Sequence, residues 1–538
     1  MAGGTHPATK LYNVVPRPMR RLMVIQFAIG GILILIWVHY NGGLLPQFVR
    51  NQIPMLKVGP DISPLAYFSQ VKDDASKITW ERGVNSKAAL DKALHSKAMM
   101  LECDVILQHV NGDTQKLLPV LADPPKIDSD ITLDQWLDRV VRYNTGIKLD
   151  FHSIDAVEIS LQKLKFRKAD LIRPVWLSAD VLSGPHATVP PIDPTRFLRT
   201  VHQQFPECTL ALGWKTGHHT DLSLSGYSWR MVMDMYQLVS NWELKQPLTF
   251  NVRLSLMRNS VPQLKWLCDV TGGSLTVWHG TGDVPVVADL MYIAYKFRPN
   301  KVYFDLDHEY LQHQLELYRH RSQEKLDPLV LQRDSVVIRP EAWVKMGFWR
   351  EERSILPSTE AVVLLTPNVH MVSKFKYQPT DRLRLVGRVQ FLKHTDVEAD
   401  KETGLHIFFR TIKYDTPDDI RGIRCFIGEM GTVKVEGWNV GGREEFKDRV
   451  GMTPSNVRCY RFAIINALGY INIAVNVLHD CNTLDSVQPD DFNPADLTVR
   501  LPGGLPRGEL PIVIKAADRK RAIVIDELTV QYSNNGKF

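Results

Sequence analysis

The chain has 538 residues, 44% hydrophobic and 23% charged, with a net charge of +6. That balance belongs to a folded protein of several domains and excludes extensive disorder. Lysines and arginines are interspersed with acids, so the clustered basic stripe of a nucleic-acid binder is absent and no nucleic-acid partner is expected.

Residues 22–38, "LMVIQFAIGGILILIWV", carry no charge and follow Lys10, Arg17, Arg20 and Arg21. The run is long enough to span a bilayer, and Trp37 and Tyr40 suit its interface. The expectation is a cytosolic N-terminus over 1–21, an uncleaved transmembrane signal-anchor over 22–40 and a translocated remainder. That makes the chain a single-pass type II membrane protein with an extracellular or lumenal C-terminal region. A cleaved signal peptide and a secreted protein are the rival reading. Residues 41–70, rich in Gly, Pro and polar residues over their first part, read as a stalk.

From about residue 71 to 310 strands alternate with helices. The strand candidates are "ITW" (78–80), "MMLECDVIL" (99–107), "PVLAD" (119–123), "GIKLDF" (146–151), "PVWLSADV" (174–181), "CTLALGW" (208–214), "LTFNVRLSL" (248–256) and "SLTVWHG" (274–280). Stretches such as "SKAALDKALHSK" and "TLDQWLDRVVRY" between them have helical periodicity. Eight such units predict an α/β fold, a (β/α)8 TIM-type barrel. "KVYFDL" (301–306) is then left over, and a doubly wound sheet is the alternative. After a charged helical linker, 311–334, strands follow one another without helices to residue 538, which predicts an all-β sandwich or jelly-roll domain. Six cysteines show no CxxC spacing, so zinc ribbons lack support; an even count in an exported protein permits disulfides.

Alternation along "MMLECDVIL" places Glu102 and Asp104 on one inward face and turns Cys103 toward the helices. Two like charges inside a barrel mouth repel unless a cation lies between them or basic residues neutralise them. A hard divalent ion fits, with Asp150 of "KLDF" as third oxygen ligand. The alternative is a structural ion pair with Arg82, Lys148 or Arg253. Asp180, Lys215, Arg253 and Trp278 fall near strand ends and are candidates for lining the same pocket, whereas His218 and His219 sit in a polar loop.

The ordered runs "ITWERGVNSKAALDKAL", "MMLECDVIL", "VLADPPKIDSDITLDQWL", "GIKLDFHSIDAVEISL", "RPVWLSADVLSGP", "FPECTLALGW" and "LTVWHG" resemble the menorin family. Its barrel is in turn similar to the glycerophosphodiester phosphodiesterase and sphingomyelinase D superfamily. The resemblance implies Mg2+ or Ca2+ held by a Glu-x-Asp pair on the second strand and one carboxylate on the fourth, positions matched by Glu102, Asp104 and Asp150. It also implies two proton-moving histidines, one in Trp-x-His and one in His-Pro-Pro, and a lysine after the fourth-strand carboxylate. Here "TWERG" has Arg82, "LADPP" has Asp123 and the lysine position has His152. Arg82 stays protonated and cannot be a base. A degenerate, non-catalytic site follows, in a membrane-anchored or secreted interaction protein. The resemblance implies partners among cell-surface adhesion receptors or matrix proteins, and a role in tissue or dendrite patterning. The alternative is an active metal-dependent phosphodiesterase on glycerophosphodiesters or lysophospholipids, with Asp123 and His152 as a rearranged acid/base set.

Overall fold

The computed structural model describes residues 63–96, 98–110, 113–217, 226–244, 246–280, 283, 290, 293–294 and 296–306, and then 336–337, 343–347, 355–357, 361–379, 382–393, 402–439, 447–451, 459–478, 497–501 and 509–533. The expected anchor (22–40), most of the stalk, the 311–334 linker, His218, His219 and Cys481 lie outside the described residues. Among the described residues no helix is long and apolar enough to cross a membrane.

Eight parallel strands form a nearly closed barrel: β1 (Trp80–Glu81), β2 (Met100–Val110), β4 (Gly146–Phe151), β5 (Val175–Ser183), β6 (Thr209–Lys215), β7 (Leu248–Arg253), β8 (Ser274–Trp278) and β9 (Val302–Phe304). Among the described residues no ladder joins β9 back to β1. Two expectations change. The "PVLAD" segment belongs to β3 (Asp113–Leu121), which folds back antiparallel on β2 as a hairpin and is no barrel stave. The surplus "KVYFDL" segment supplies β9, the eighth stave. A tight return after β2 needs no crossover helix, which is why β3 can pair only antiparallel. Asp150, on the fourth strand of the chain, thus stands on the third stave.

Five of the crossover helices start on a side-chain cap that satisfies an otherwise orphaned N–H. Ser86 caps α1 (Lys87–His95), and Thr132 with Gln135 forms a capping box on α2 (Leu133–Val140). Ser153 caps α3 (Ile154–Phe166), Asp193 caps α4 (Pro194–Gln204) and Ser228 caps α5 (Trp229–Asn241). α6 (Val261–Thr271) has no side-chain cap and carries proline in its first turn instead. Odd-numbered residues such as Leu101, Cys103, Leu149, Leu177 and Val277 face these helices in the main core. Cys103 is therefore a small buried apolar group, as its parity predicts, and Cys208, Cys268 and Cys425 are likewise buried thiols outside any disulfide.

The alternate residues, even-numbered on β2, β4, β5 and β8 and odd-numbered on β6, β7 and β9, point into the barrel. Its lower end is filled by Trp80, Met100, Trp176, Ala211 and Tyr303, packed with Phe68, Val71, Ala75 and Ile78 of the segment leading into β1. Water is excluded from below, and the polar inward positions above this plug open toward the C-terminal mouth.

Beyond the barrel lie two antiparallel sheets of eight and seven strands. In the eight-stranded sheet the strands 361–364, 382–393, 459–467, 470–477 and 521–533 carry most of the ladder. One face of it, with Val362, Leu364, Leu385, Ile464 and Ile525, shares a core with Leu405, Ile407, Cys425 and Val435 of the seven-stranded sheet. Its other face, with Ala361, Val363, Ala522 and Val524, belongs to the barrel's own core. α5 and α6 make that junction. Trp266 Nε1 donates to Leu356 O at 2.9 Å, and Trp229 Nε1 donates to Asp526 Oδ2 at 3.0 Å. Asp526 also accepts two 2.7 Å bonds from Arg388, all within a buried seam.

Removing one partner of such a pair leaves a buried charge uncompensated. Asp526→Ala is expected to cost about 3–5 kcal/mol, while Trp229→Phe, which removes one hydrogen bond, costs about 1 kcal/mol. Urea unfolding of the two variants beside wild type checks the ranking.

Candidate metal centre

β2 and β4 run side by side with Asp104 level with Asp150 and Glu102 level with Lys148; β5 follows with Ser178 level with Asp150. Parallel register and even parity thus stack three acids at one side of the mouth. An oxygen of each of Glu102, Asp104 and Asp150 lies within 4.8 Å of the others. Glu102 and Asp104 are 4% and 9% exposed, so their charges are largely withdrawn from water.

Donors from neighbouring elements aim these acids. Glu102 Oε2 accepts from the Gly83 N–H at 2.8 Å, and Asp104 Oδ2 accepts from Asn85 Nδ2 at 2.7 Å. Asn85 Oδ1 in turn accepts the Asp104 N–H at 2.9 Å. Asp150 Oδ1 accepts from Ser178 Oγ at 2.7 Å, and His152 Nε2 meets Asp104 Oδ1 at 2.7 Å.

The expected neutralising cations lie elsewhere. Lys148 Nζ sits 2.6 Å from Asp305 Oδ2, and Arg82 Nε lies 3.2 Å from Asp305 Oδ1. Arg82 Nη1 also donates to His279 O at 3.3 Å. Arg253 is clamped by Asp283 through bonds of 2.7 and 2.6 Å and donates to Gly217 O. The ion-pair alternative is therefore met by Asp305 and Asp283, and Glu102 has no direct basic partner among the described residues. Burial first, and Asp104 second, push the Glu102 carboxyl up to about 8. Burial likewise raises Asp180 to about 6, with Asp150 adding to it. Burial opposes ionisation of Asp150, but Lys148, His152 and the Ser178 hydroxyl outweigh it and hold its carboxyl low. Burial would lower His152; its hydrogen bond to Asp104 and the Asp150 charge raise it to about 9 instead.

The remaining candidates line the other side of the mouth. Lys215 Nζ lies 3.9 Å from Asp180 Oδ2. Asp180 rests against the backbone of β6 at Gly213, where a Cβ would collide with its carboxylate. The Arg253 guanidinium is 6.0 Å from the Trp278 ring and packs on Gly280. Asp123 is exposed on the loop after β3; its carboxyl is raised by partial burial and by Asp104. Asp104, Asp123 and His152 form a second set whose ligand atoms come within 4.8 Å.

Several site residues escaped sequence reasoning. Asp305 is wholly buried and holds both cations. Treating "KVYFDL" as a stave would have found it, since Asp305 shares the inward parity of Tyr303. Asn85, Ser178 and Asn251 carry no comparable signal, because serine and asparagine at strand ends or loops are common.

The carboxylate donors fit a hard divalent cation. They are oxygen ligands, a like-charged pair is buried, and no described donor reaches Glu102 Oε1 or Asp150 Oδ2. Fold and site define a TIM-type barrel with an acidic cluster at its C-terminal mouth, joined to a pair of antiparallel sheets. The chain matches the Menorin N-terminal domain over residues 74–311 and the Menorin C-terminal domain over residues 352–508. It belongs to the menorin family. Protein FAM151B of Homo sapiens is 42% identical over 257 residues, 46% of this chain and 92% of that protein. Similar solved structures include the Ca2+-bound exoplasmic/lumenal domain of VIP36, at TM-score 0.27 and 12% identity over 37% of this chain and 86% of that one. A legume lectin-like domain from Entamoeba histolytica has TM-score 0.26 and 14% identity over 38% and 97%. Likeness of that size defines neither ligand nor function here.

The buried acids set a pH dependence. Glu102 keeps its proton in the folded, metal-free chain up to about 8 and loses it near 4.5 when unfolded. The folded state binds more protons across that window, so stability falls as pH rises through it. In EDTA, Glu102→Gln is expected to flatten the decline; without the chelator, a divalent cation that holds the ionised form is expected to flatten it too. Urea unfolding at intervals across the window measures both.

Proposed function

We propose that this menorin-family chain acts outside the cell as an interaction module whose barrel holds Mg2+ or Ca2+ through Glu102, Asp104 and Asp150 without turning over a phosphodiester. The observation that carries the reading is the commitment of Arg82, at one of the two proton-moving positions, and of His152, at the lysine position, to buried acids. The Arg82 guanidinium is drawn to Asp305, burial opposing its charge but Asp305, Glu102 and Asp104 outweighing it. His152 is held by Asp104 in its protonated form near neutral pH. Neither accepts a proton from an attacking oxygen, as displacement at phosphorus requires. When bound, the cation would neutralise the acids and offer positive charge to an anionic group at the mouth. Placement outside the cell, by a type II anchor or by secretion, rests on the charge-free run 22–38 and the basic residues before it. Partners among cell-surface adhesion receptors or matrix proteins, and a role in tissue or dendrite patterning, rest on the family resemblance.

One observation favours a second reading, an active phosphodiesterase. Asp123 and His152 both converge on Asp104, and a protonated His152 suits a general acid with Asp123 as base.

Purified protein is expected to gain melting temperature with Mg2+ or Ca2+, to lose that gain on Asp104→Asn, and to release no product from glycerophosphodiesters or lysophospholipids. Metal-dependent turnover that Asp104→Ala abolishes would overturn the non-catalytic reading in favour of the second. Absence of any cation-induced shift would remove the metal from both. Pull-down from cell-surface extracts identifies the partner, and recovery of no adhesion receptor or matrix protein would count against the interaction role.

A further inference from the structure

Each carboxylate of the cluster offers the ion less than its full pair of oxygens. Glu102 Oε2 is held by the Gly83 N–H, and Asp104 by Asn85 on one oxygen and His152 on the other. Asp150 is held differently, by a relay of uncharged groups. Ser178 Oγ donates to Asp150 Oδ1 at 2.7 Å and accepts from Asn251 Nδ2 at 2.9 Å. Asn251 Nδ2 also donates to Ala211 O at 3.3 Å, which fixes the amide. Ser178 is 0% exposed and Asn251 5%, so no water competes for these bonds. Swinging Asp150 to present both oxygens would break the Ser178 bond in a buried setting, where an unmade hydrogen bond is costly.

Ion size converts this restraint into selectivity. Ca2+ accepts six to eight oxygens and readily takes a carboxylate through both. Mg2+ requires near-octahedral geometry at about 2.0–2.1 Å, keeps several waters and binds carboxylates through single oxygens. We propose that the Asn251–Ser178–Asp150 relay, by holding Asp150 to a single free oxygen, makes this a site that selects Mg2+ and ions of its size over Ca2+, with Ser178 the selectivity-determining positioning residue. The inference rests on the cation reading above and adds to it the choice of ion and the groups that make it. Ser178 and Asn251 are neutral, so their removal changes ligand geometry and leaves the charge of the site as it was.

Calorimetric titration of the full chain with Mg2+ and, separately, with Ca2+ gives the ratio of affinities. Wild type is expected to bind Mg2+ at least as tightly as Ca2+. Ser178→Ala frees Asp150 Oδ1 and moves the ratio about 10-fold toward Ca2+, the scale of effect typical for partners of metal ligands. Asn251→Leu moves it in the same direction, and Ser178→Thr, which retains the hydroxyl, keeps the wild-type ratio. Thermal melts in EDTA confirm that each variant folds. A Ca2+ preference in wild type, or equal weakening of both ions in Ser178→Ala, overturns the inference while leaving the cation site standing. Binding of neither ion by wild type overturns the cation reading and this inference with it.

Discussion

A single buried carboxylate, Asp305, decides what the mouth of the barrel can be. It stands at the end of the last stave and draws in Lys148 from the third and Arg82 from the loop after the first. Had those two cations turned to Glu102 and Asp104, the acids would form a closed ion-pair network with no open coordination. Because Asp305 takes them, the cluster keeps like charges in contact at low exposure, a state that water cannot screen and that a proton or a metal ion relieves. The same pairing fixes Arg82, so one buried carboxylate sets the position of both basic residues relative to the acids.

The mouth is tied mechanically to the paired sheets. Tyr227 accepts the Arg253 N–H through its hydroxyl at 2.9 Å, and Arg253 grips Asp283. Two residues on, Trp229 opens α5 and reaches Asp526 of the eight-stranded sheet. The β6–α5 side of the site is therefore braced from outside the barrel, while the acids on β2 and β4 are braced from within by Gly83, Asn85 and Ser178. Braced acids thus face an anchored guanidinium across the mouth.

The acids themselves were legible because strand parity is strict: once "MMLECDVIL" is a stave, Glu102 and Asp104 face inward and Cys103 outward. Strand type was less legible. Residues 302–304 make a three-residue stave whose partner lies far back in the chain, and nothing local distinguishes it from a surplus segment. The β2–β3 pair looked like two staves because apolar content marks a strand without marking its direction. In the sheets, Arg424 and Arg461 interrupt the apolar pattern of strands 421–428 and 459–467. Arg424 is accommodated by stacking 3.8 Å from the Trp438 ring and pairing with Glu436, a tertiary arrangement invisible to periodicity. The Asp305 and Asn251–Ser178 contacts likewise exist only after distant strands are brought side by side.

The eight-stranded sheet is covered on both faces, by its partner sheet and by the barrel, and this has a consequence for descent. The indoles of Trp229 and Trp266, packed 5.8 Å apart at the junction, form a T-shaped pair roofed by that sheet. A barrel inherited alone would bring this roof line to the surface as an adhesive apolar seam. Residues of α5 and α6 therefore hold the sheet and the barrel together as one apolar unit.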